Sequence, residues 1–257
     1  MTSGNKTAII TGGLSGMGLA TARRLATDGT TVVVGARSAS DRNRVRDVLG
    51  TDANRIHASV LDVRSRASVD AFVAGVAEAH GSVDILVNAA GVYDEAPVIN
   101  HSERIWEDHI DTNLSGTFRM IRAAMPHMKH VGWGRIINIA SVAAHNGMVN
   151  NAAYCASKAG LLGLGRCVSL EGAPHGITCV SISPTWVETE MLKRFINADM
   201  QSTGQSLEQV RAEYAKSNPQ NQLVQPSEVA ELAAFLASDA ARALTMEDFQ
   251  INAGSLW

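Results

Sequence analysis

Short apolar runs alternate with longer stretches of helical spacing along the chain. The runs at 7–10, 31–34, 56–61, 83–87, 135–139 and 178–182 are rich in Val and Ile and are flanked by Gly, Asp or Asn. Such runs predict strands buried on both faces. A weaker candidate lies near 249–251. Helical periodicity is expected at about 16–28, 40–49, 65–80, 102–130, 152–175 and 226–238. Regular alternation of this kind predicts a parallel sheet covered by helices on both sides, and right-handed crossovers make it doubly wound. The expected fold class is α/β, one domain over residues 1–257, with no Pro-, Gly- or Ser-rich linker. Residues 184–222 break the rhythm. They place Lys193, Arg194, Arg211 and Lys216 among helical apolar positions after the sixth strand, where a substrate lid is expected.

Composition narrows the classes. A length of 257 residues with 46% hydrophobic and 18% charged side chains suits a large buried core, and a net charge of −3 argues against a nucleic-acid surface. No apolar run approaches the roughly 18–20 residues that span a bilayer, so no membrane partner is expected. The N-terminal residues 1–7 lack the apolar core of a secretory leader. Cys155, Cys167 and Cys179 have neither metal-like nor disulfide-framework spacing and read as reduced thiols of a cytoplasmic protein. No metal site is expected.

The first strand runs into Thr11-Gly12-Gly13-Leu14-Ser15-Gly16-Met17-Gly18 and then an Ala- and Leu-rich helix. In a dinucleotide turn, Gly12 would turn the chain sharply, Gly16 would admit backbone close to a pyrophosphate, and Gly18 would let helix and strand pack closely. The helix N-terminus then offers amide donors and the positive end of its dipole to the phosphates. At the start of a strand–helix unit, the cluster predicts a nucleotide-binding Rossmann domain.

The spacing Thr-Gly-x-x-x-Gly-x-Gly resembles the short-chain dehydrogenase/reductase family. Further matches follow in order: Asp62-Val63, Asn88-Ala89-Ala90-Gly91, Asn113, Ser141, Tyr154-x-x-x-Lys158 and Pro184. The resemblance implies that Gly12, Leu14, Ser15, Gly16, Met17 and Gly18 meet the cofactor's phosphates, with Asp62 and Val63 at the adenine. It also implies Asn88 and Gly91 beside the cofactor, and Pro184, Val187 and Thr189 at the nicotinamide. NAD-using relatives carry an acid where Ala36 stands, whereas Arg37 looks like the NADP-using type. A guanidinium suits a phosphate because it makes two charge-assisted bonds. NADP(H) is therefore the expected cofactor.

Tyr154 and Lys158 are four residues apart on an Ala-rich helix, so both project from one face. A phenol's ordinary pKa is about 10. A nearby ammonium and the positive charge of an oxidised nicotinamide are expected to lower it. Neutral Tyr154 would then protonate a ketone oxygen as hydride arrives, with Ser141 hydrogen-bonded to the same oxygen. The resemblance further implies that Lys158 holds the nicotinamide ribose. It gives Asn113 a water that links Lys158 to solvent.

Within the family, Val34-Gly35-Ala36-Arg37, Asp62-Val63-Arg64-Ser65, Thr112-Asn113-Leu114-Ser115-Gly116 and the stretch from Val224 to Ala230 are most similar to ketoreductases of aromatic polyketide biosynthesis. Those enzymes reduce one ketone of a poly-β-ketone chain. Val92-Tyr93-Asp94-Glu95 departs from their Gly-rich stretch, and Thr185 stands where Gly is more common after Pro184. Gly132-Trp133-Gly134-Arg135-Ile136-Ile137-Asn138 and Trp186-Val187 resemble bacterial 3-hydroxybutyrate dehydrogenases. That group grips a carboxylate through Gln, His and Lys, where this chain has Tyr93, Ala143 and Asn151. A small keto acid would lack the charge partner that its desolvation requires.

Tyr93, Ala143, His145, Met148, Asn151, Trp186, Met191 and Phe195 are expected around the substrate. The leading expectation is an NADPH-dependent reductase of a bulky β-keto compound. The alternatives are an NAD-linked secondary-alcohol or hydroxy-acid dehydrogenase, and a catalytically silent dinucleotide-binding scaffold. The family's habits and the long apolar helices at 102–130 and 152–175 imply a homo-oligomer, tetramer or dimer, with Gly254-Ser255-Leu256-Trp257 near an interface.

Overall fold

The computed structural model describes residues 6–255. Seven parallel strands form one sheet in the order β3-β2-β1-β4-β5-β6-β7. They are β1 (Thr7–Thr11), β2 (Thr31–Ala36), β3 (Ile56–Val60), β4 (Ile85–Asn88), β5 (Gly134–Ile139), β6 (Ile177–Pro184) and β7 (Asp248–Ile251). The order reverses between β1 and β4, and there the two halves of the sheet leave a crevice at their C-terminal ends. The domain is the doubly wound α/β fold expected from the alternation.

Helices cover both faces. One side carries α1 (Gly16–Thr27), α2 (Arg42–Leu49) and α9 (Pro226–Ala237). Their core includes Leu25, Val32, Ile85, Ile137, Ile182, Val229 and Leu236. The other side carries α3 (Arg66–His80), α5 (Gly116–Val131) and α6 (Ala152–Gly172), packed on Ile9, Val33, Leu86, Ile136 and Cys179. This two-sided packing explains the continuous apolar runs, because β1, β4, β5 and β6 are buried along their whole length. β3 differs from the expectation of burial on both faces. As an edge strand it buries only Ile56.

The helix expected at 102–130 is two helices. α4 (Glu103–His109) passes through a π turn at Ile110–Ser115 into α5. The segment 184–222 folds into α7 (Glu190–Thr203) and α8 (Leu207–Lys216). Leu192, Ile196, Val210, Ala215 and Leu223 give it a small core of its own, joined by Trp186 and Tyr214. Two of its cations are engaged: Arg211 makes two 2.9 Å bonds to Glu188, and Lys193 lies 2.7 Å from Glu190. A bridge between Val187 and Val224 closes the base of the excursion.

Among the described residues, no helix is long and apolar enough to cross a membrane, and the three cysteines are unpaired. The interface role expected of Leu256 and Trp257 lies outside the described residues, as do residues 1–5.

Candidate active site

The C-terminal end of β1 is bonded to the backbone of its neighbours. Gly12 N donates to Gly35 O at 2.8 Å, and Thr11 Oγ1 accepts from the amides of Ala89 and Ala90 at 3.1 and 3.0 Å. Gly12 turns with φ +68°, and Gly16 begins α1 with φ +50°. A Cβ on Gly18 would lie 2.7 Å from Gly12 O, so the helix approaches the strand closely, as the motif requires. Gly13, to which the motif assigns no role, is as constrained. Its Cβ would meet Val34 Cγ1 at 2.5 Å.

Ser15 stands at the N-cap of α1 but makes no side-chain cap bond, so the first-turn amides face the crevice without that acceptor. A turn cleared of side chains and a helix start without a side-chain cap fit a dinucleotide's pyrophosphate.

A second cleft continues over β2 and β3, lined by Arg37, Asp62, Val63 and Arg64 among others. Arg37 is exposed and makes no ion pair among the described residues. Arg64 is committed: its Nε lies 3.3 Å from Asp62 and its Nη1 3.4 Å from Asp108. Burial would raise the Asp62 pKa, but the hydrogen bonds from Arg64 outweigh it and hold the carboxyl below its ordinary value. Asn88 bridges to the next strand, its Nδ2 donating to Asn138 Oδ1 at 2.9 Å.

Four side chains converge beyond β4 and β5. Asn113, buried in the π turn, accepts from Val92 N at 2.8 Å through Oδ1. Its Nδ2 donates to Val92 O and to Ser157 Oγ, both at 3.1 Å. These bonds fix the loop after β4. A Cβ on Gly91 would stand 3.3 Å from Asn113 Oδ1 and 3.9 Å from Lys158 Nζ. Lys158 Nζ donates to Ile139 O at 2.7 Å and lies 5.6 Å from the centre of the Tyr154 ring. Ser141 Oγ accepts from Ala143 N at 3.1 Å and is hydrogen-bonded to Tyr154.

Burial dominates the electrostatics of the Tyr154–Lys158 pair. Burial pushes the Tyr154 phenol up to about 12, and the Ser141 hydrogen bond only partly offsets it. Burial also brings Lys158 down to about 8. The Lys158 ammonium is bonded to the Ile139 carbonyl rather than to the phenol, and desolvation leads the shift at both groups.

Ser141, Tyr154 and Lys158 open on a cavity of about 140 Å³. Tyr93, Met148, Trp186, Met191 and Phe195 lie in its wall, with Met17, Pro184, Val187 and Thr189 toward the cofactor turn. The Tyr93 ring stands edge-on to Tyr154 at 4.6 Å and to Phe195 at 4.8 Å. Tyr93 Oη donates to Glu95 Oε1 at 2.6 Å.

Three expected pocket residues are not in that wall. His145 turns to β7 and bonds Asp248 Oδ2 at 2.7 Å, because the short helical turn after Ser141 carries it away from the cavity. Ala143 is buried in that same turn. Asn151 is buried with Nδ2 donating to Val149 O. The sequence reading missed Leu192, although it lies one residue after Met191 and three before Phe195 on helical spacing. Ser157 and the Ile139 carbonyl carried no local signal, since their partners lie 44 and 19 residues away in the chain. No three His, Cys, Asp or Glu side chains gather as a metal site among the described residues.

With this geometry the chain is a member of the short-chain dehydrogenase/reductase family, matching the short chain dehydrogenase description over residues 6–200. It is an oxidoreductase of a family that binds nicotinamide dinucleotides, acts on small molecules and is commonly oligomeric.

Its relatives include a Streptomyces virginiae protein assigned as a ketoacyl reductase of the monensin polyketide synthase. The two are 38% identical, over 98% of this chain and 97% of that one. The D-beta-hydroxybutyrate dehydrogenase of Rhizobium meliloti is 37% identical over 97% of this chain and 98% of its own. Among solved structures, a variant actinorhodin polyketide ketoreductase with NADPH superposes with a TM-score of 0.91. It is 36% identical, and 97% of each chain is covered.

Proposed function

We propose that this chain is an NADPH-dependent ketoreductase that acts on a bulky, uncharged β-keto compound of polyketide type, with Tyr154 as proton donor. The observation that carries the reading is the composition of the cavity. Tyr154 and Ser141 present hydroxyls, most of the remaining wall is apolar with Tyr93, Trp186, Phe195 and Met side chains prominent, and Lys158 is the only charged side chain in the wall among the described residues.

A bound nicotinamide dinucleotide supplies the hydride. Gly12, Leu14, Ser15, Gly16, Met17 and Gly18 would hold its phosphates, Arg37 the extra phosphate of NADP, and Asp62 and Val63 its adenine. Asn88 and Gly91 would flank it, and Pro184, Val187 and Thr189 would meet the nicotinamide. Ser141 and Tyr154 bind the substrate carbonyl oxygen, and Tyr154 gives it the proton as negative charge develops there. The phenol's elevated pKa keeps that proton in place at neutral pH. Lys158 supports the phenolate left behind and holds the ribose. Asn113 secures the loop beside Lys158 through Val92. Helices α7 and α8 act as a lid that keeps water from the carbonyl. Reduction in this order consumes one hydride and one proton per ketone.

The Rhizobium meliloti relative raises the competing reading of an NAD-linked hydroxy-acid dehydrogenase. A substrate carboxylate would need a cation in the wall, and Lys158 is already engaged at the carbonyl end. The intact set Asn113, Ser141, Tyr154 and Lys158 speaks against a silent scaffold.

The test is initial-rate consumption of NADPH and NADH with neutral bicyclic ketones, β-keto thioesters and acetoacetate. Turnover is expected with NADPH and the bulky neutral ketones. Faster turnover of acetoacetate with NADH overturns the reading.

We also propose a homo-oligomer, dimer or tetramer. Trp106, Phe118 and Leu170 expose apolar side chains on α4, α5 and α6, and Phe118 is 46% and Leu170 66% exposed. Sedimentation at micromolar concentration tests it, and a monomer refutes it.

A further inference from the structure

Tyr93 can wall the cavity only if the segment that carries it, residues 92–95, holds its place. Asn113 secures that segment at Val92. One helical turn earlier, a second side chain secures it at Asp94. His109 Nε2 lies 3.1 Å from Asp94 N, and Nδ1 lies 2.7 Å from Ile105 O.

A peptide N–H can only donate and a carbonyl can only accept. The ring is therefore neutral, with its proton on Nδ1 and its lone pair on Nε2 aimed at Asp94. His109 is wholly buried, closes α4, and directly precedes the π turn that carries Asn113. Its ring stands edge-on to Tyr154 at 6.2 Å, beside the contact between Tyr93 and Tyr154. Both nitrogens of this buried imidazole are bonded to main chain, and one of them to the loop that forms the cavity wall.

We propose that His109 is a positioning residue for the substrate. By accepting the Asp94 amide it fixes residues 92–95 and holds Tyr93 against the Tyr154 ring. Without an acceptor at this point, the Asp94 N–H would lose its partner beside the buried side chain, and the loop would shift to pair it with water. Tyr93 would move with the loop. Tyr154 and Lys158 on α6, and Ser141 just after β5, would keep their places, so substrate binding should suffer while the chemical step persists. This inference rests on the ketoreductase reading for its kinetic consequence, but not for the hydrogen bond itself.

The test compares His109→Leu, which fills the space without an acceptor, with His109→Gln, whose Oε1 can replace Nε2. For His109→Leu, KM for the ketone is expected to rise about tenfold, with kcat and NADPH affinity changed by less than about threefold. Amide exchange at Asp94 should accelerate, and His109→Gln should restore both KM and protection.

Wild-type KM and exchange in His109→Leu would overturn the proposal. So would His109→Gln behaving like His109→Leu, or a joint loss of kcat, KM and cofactor affinity. Imidazole nitrogen shifts of the wild-type protein add a readout that needs no variant. A neutral ring protonated on Nδ1 supports the clip, and protonation on Nε2 at neutral pH refutes it. If the wild type reduces no ketone, the function proposed above fails, while exchange and nitrogen shifts still decide the role of His109.

Discussion

The two ends of the crevice are built by different means. At the β1–α1 turn the shape is made by backbone: Gly13 and Gly18 leave less room than one methyl group needs, and Thr11 and Gly12 are tied to main chain on both sides. Beyond β5 the wall is made of side chains from four separate stretches, with Tyr93, Met148, Trp186 and Phe195 meeting across the cavity. On the function proposed above, a cofactor common to the family would be served by a surface with little room for added side chains. A substrate that differs between relatives would be met by side chains that can be exchanged without moving the sheet. Tyr154 and Lys158 stand at the junction, on a helix that belongs to the rigid body.

Variants should separate the two ends. The largest effect is expected where they join. Tyr154→Phe should lower kcat for ketone reduction by about 10³-fold while NADPH still binds, measured by turnover and by titration of cofactor fluorescence. Retention of most activity would remove Tyr154 from the role of proton donor.

Next comes the rigid end. Gly13→Val should destabilise the protein by about 3 kcal/mol, since the added side chain meets Val34 with no free space, and a denaturant melt reads this directly. An unchanged midpoint would show that the turn yields more than its contacts suggest.

Arg37→Ala tests cofactor choice within the same end. It should weaken NADPH by about 30-fold and leave NADH within about threefold, because it removes about 2 kcal/mol of charge-assisted bonding to one phosphate. Equal losses for both cofactors would sink the assignment.

The side-chain end should respond more gently. Phe195→Ala should lower kcat/KM for a bulky ketone by about tenfold, with cofactor affinity and stability near wild type.

The smallest effect is in pH. Lys158, lowered by burial to about 8, loses its charge above that value, so kcat/KM for reduction should be flat from about pH 6 to 8 and decline beyond. Oxidation of the alcohol needs the phenolate of Tyr154, whose pKa is raised to about 12, and should instead rise with pH. A reduction profile that climbs through pH 8 would contradict the charge placed on Lys158.

Much of the rigid end was legible along the chain. Glycine spacing encodes a turn locally, and Tyr154 and Lys158 share a face because four residues make about one helical turn. Strand runs were readable because sheets covered on both sides bury every position. β3 was misread since an edge strand keeps the same β-forming residues with less cover.

Less of the side-chain end could be read. His145 closes the short helical turn that follows Ser141, and the geometry of that turn, not its composition, points the ring at Asp248, 103 residues away in sequence. The π turn inside the fourth predicted helix left no trace in periodicity, yet it carries Asn113 and directly follows His109.

The alternation of elements, the phosphate turn and the Tyr154–Lys158 pair are thus written in the chain itself, because each depends on neighbours within one or two turns. Long-range packing sets the rest: which aromatic side chains meet, what holds the loop of Tyr93, and how far burial moves the phenol and ammonium. Those depend on groups brought together from distant segments, whose mutual distance and exclusion of water no local spacing records.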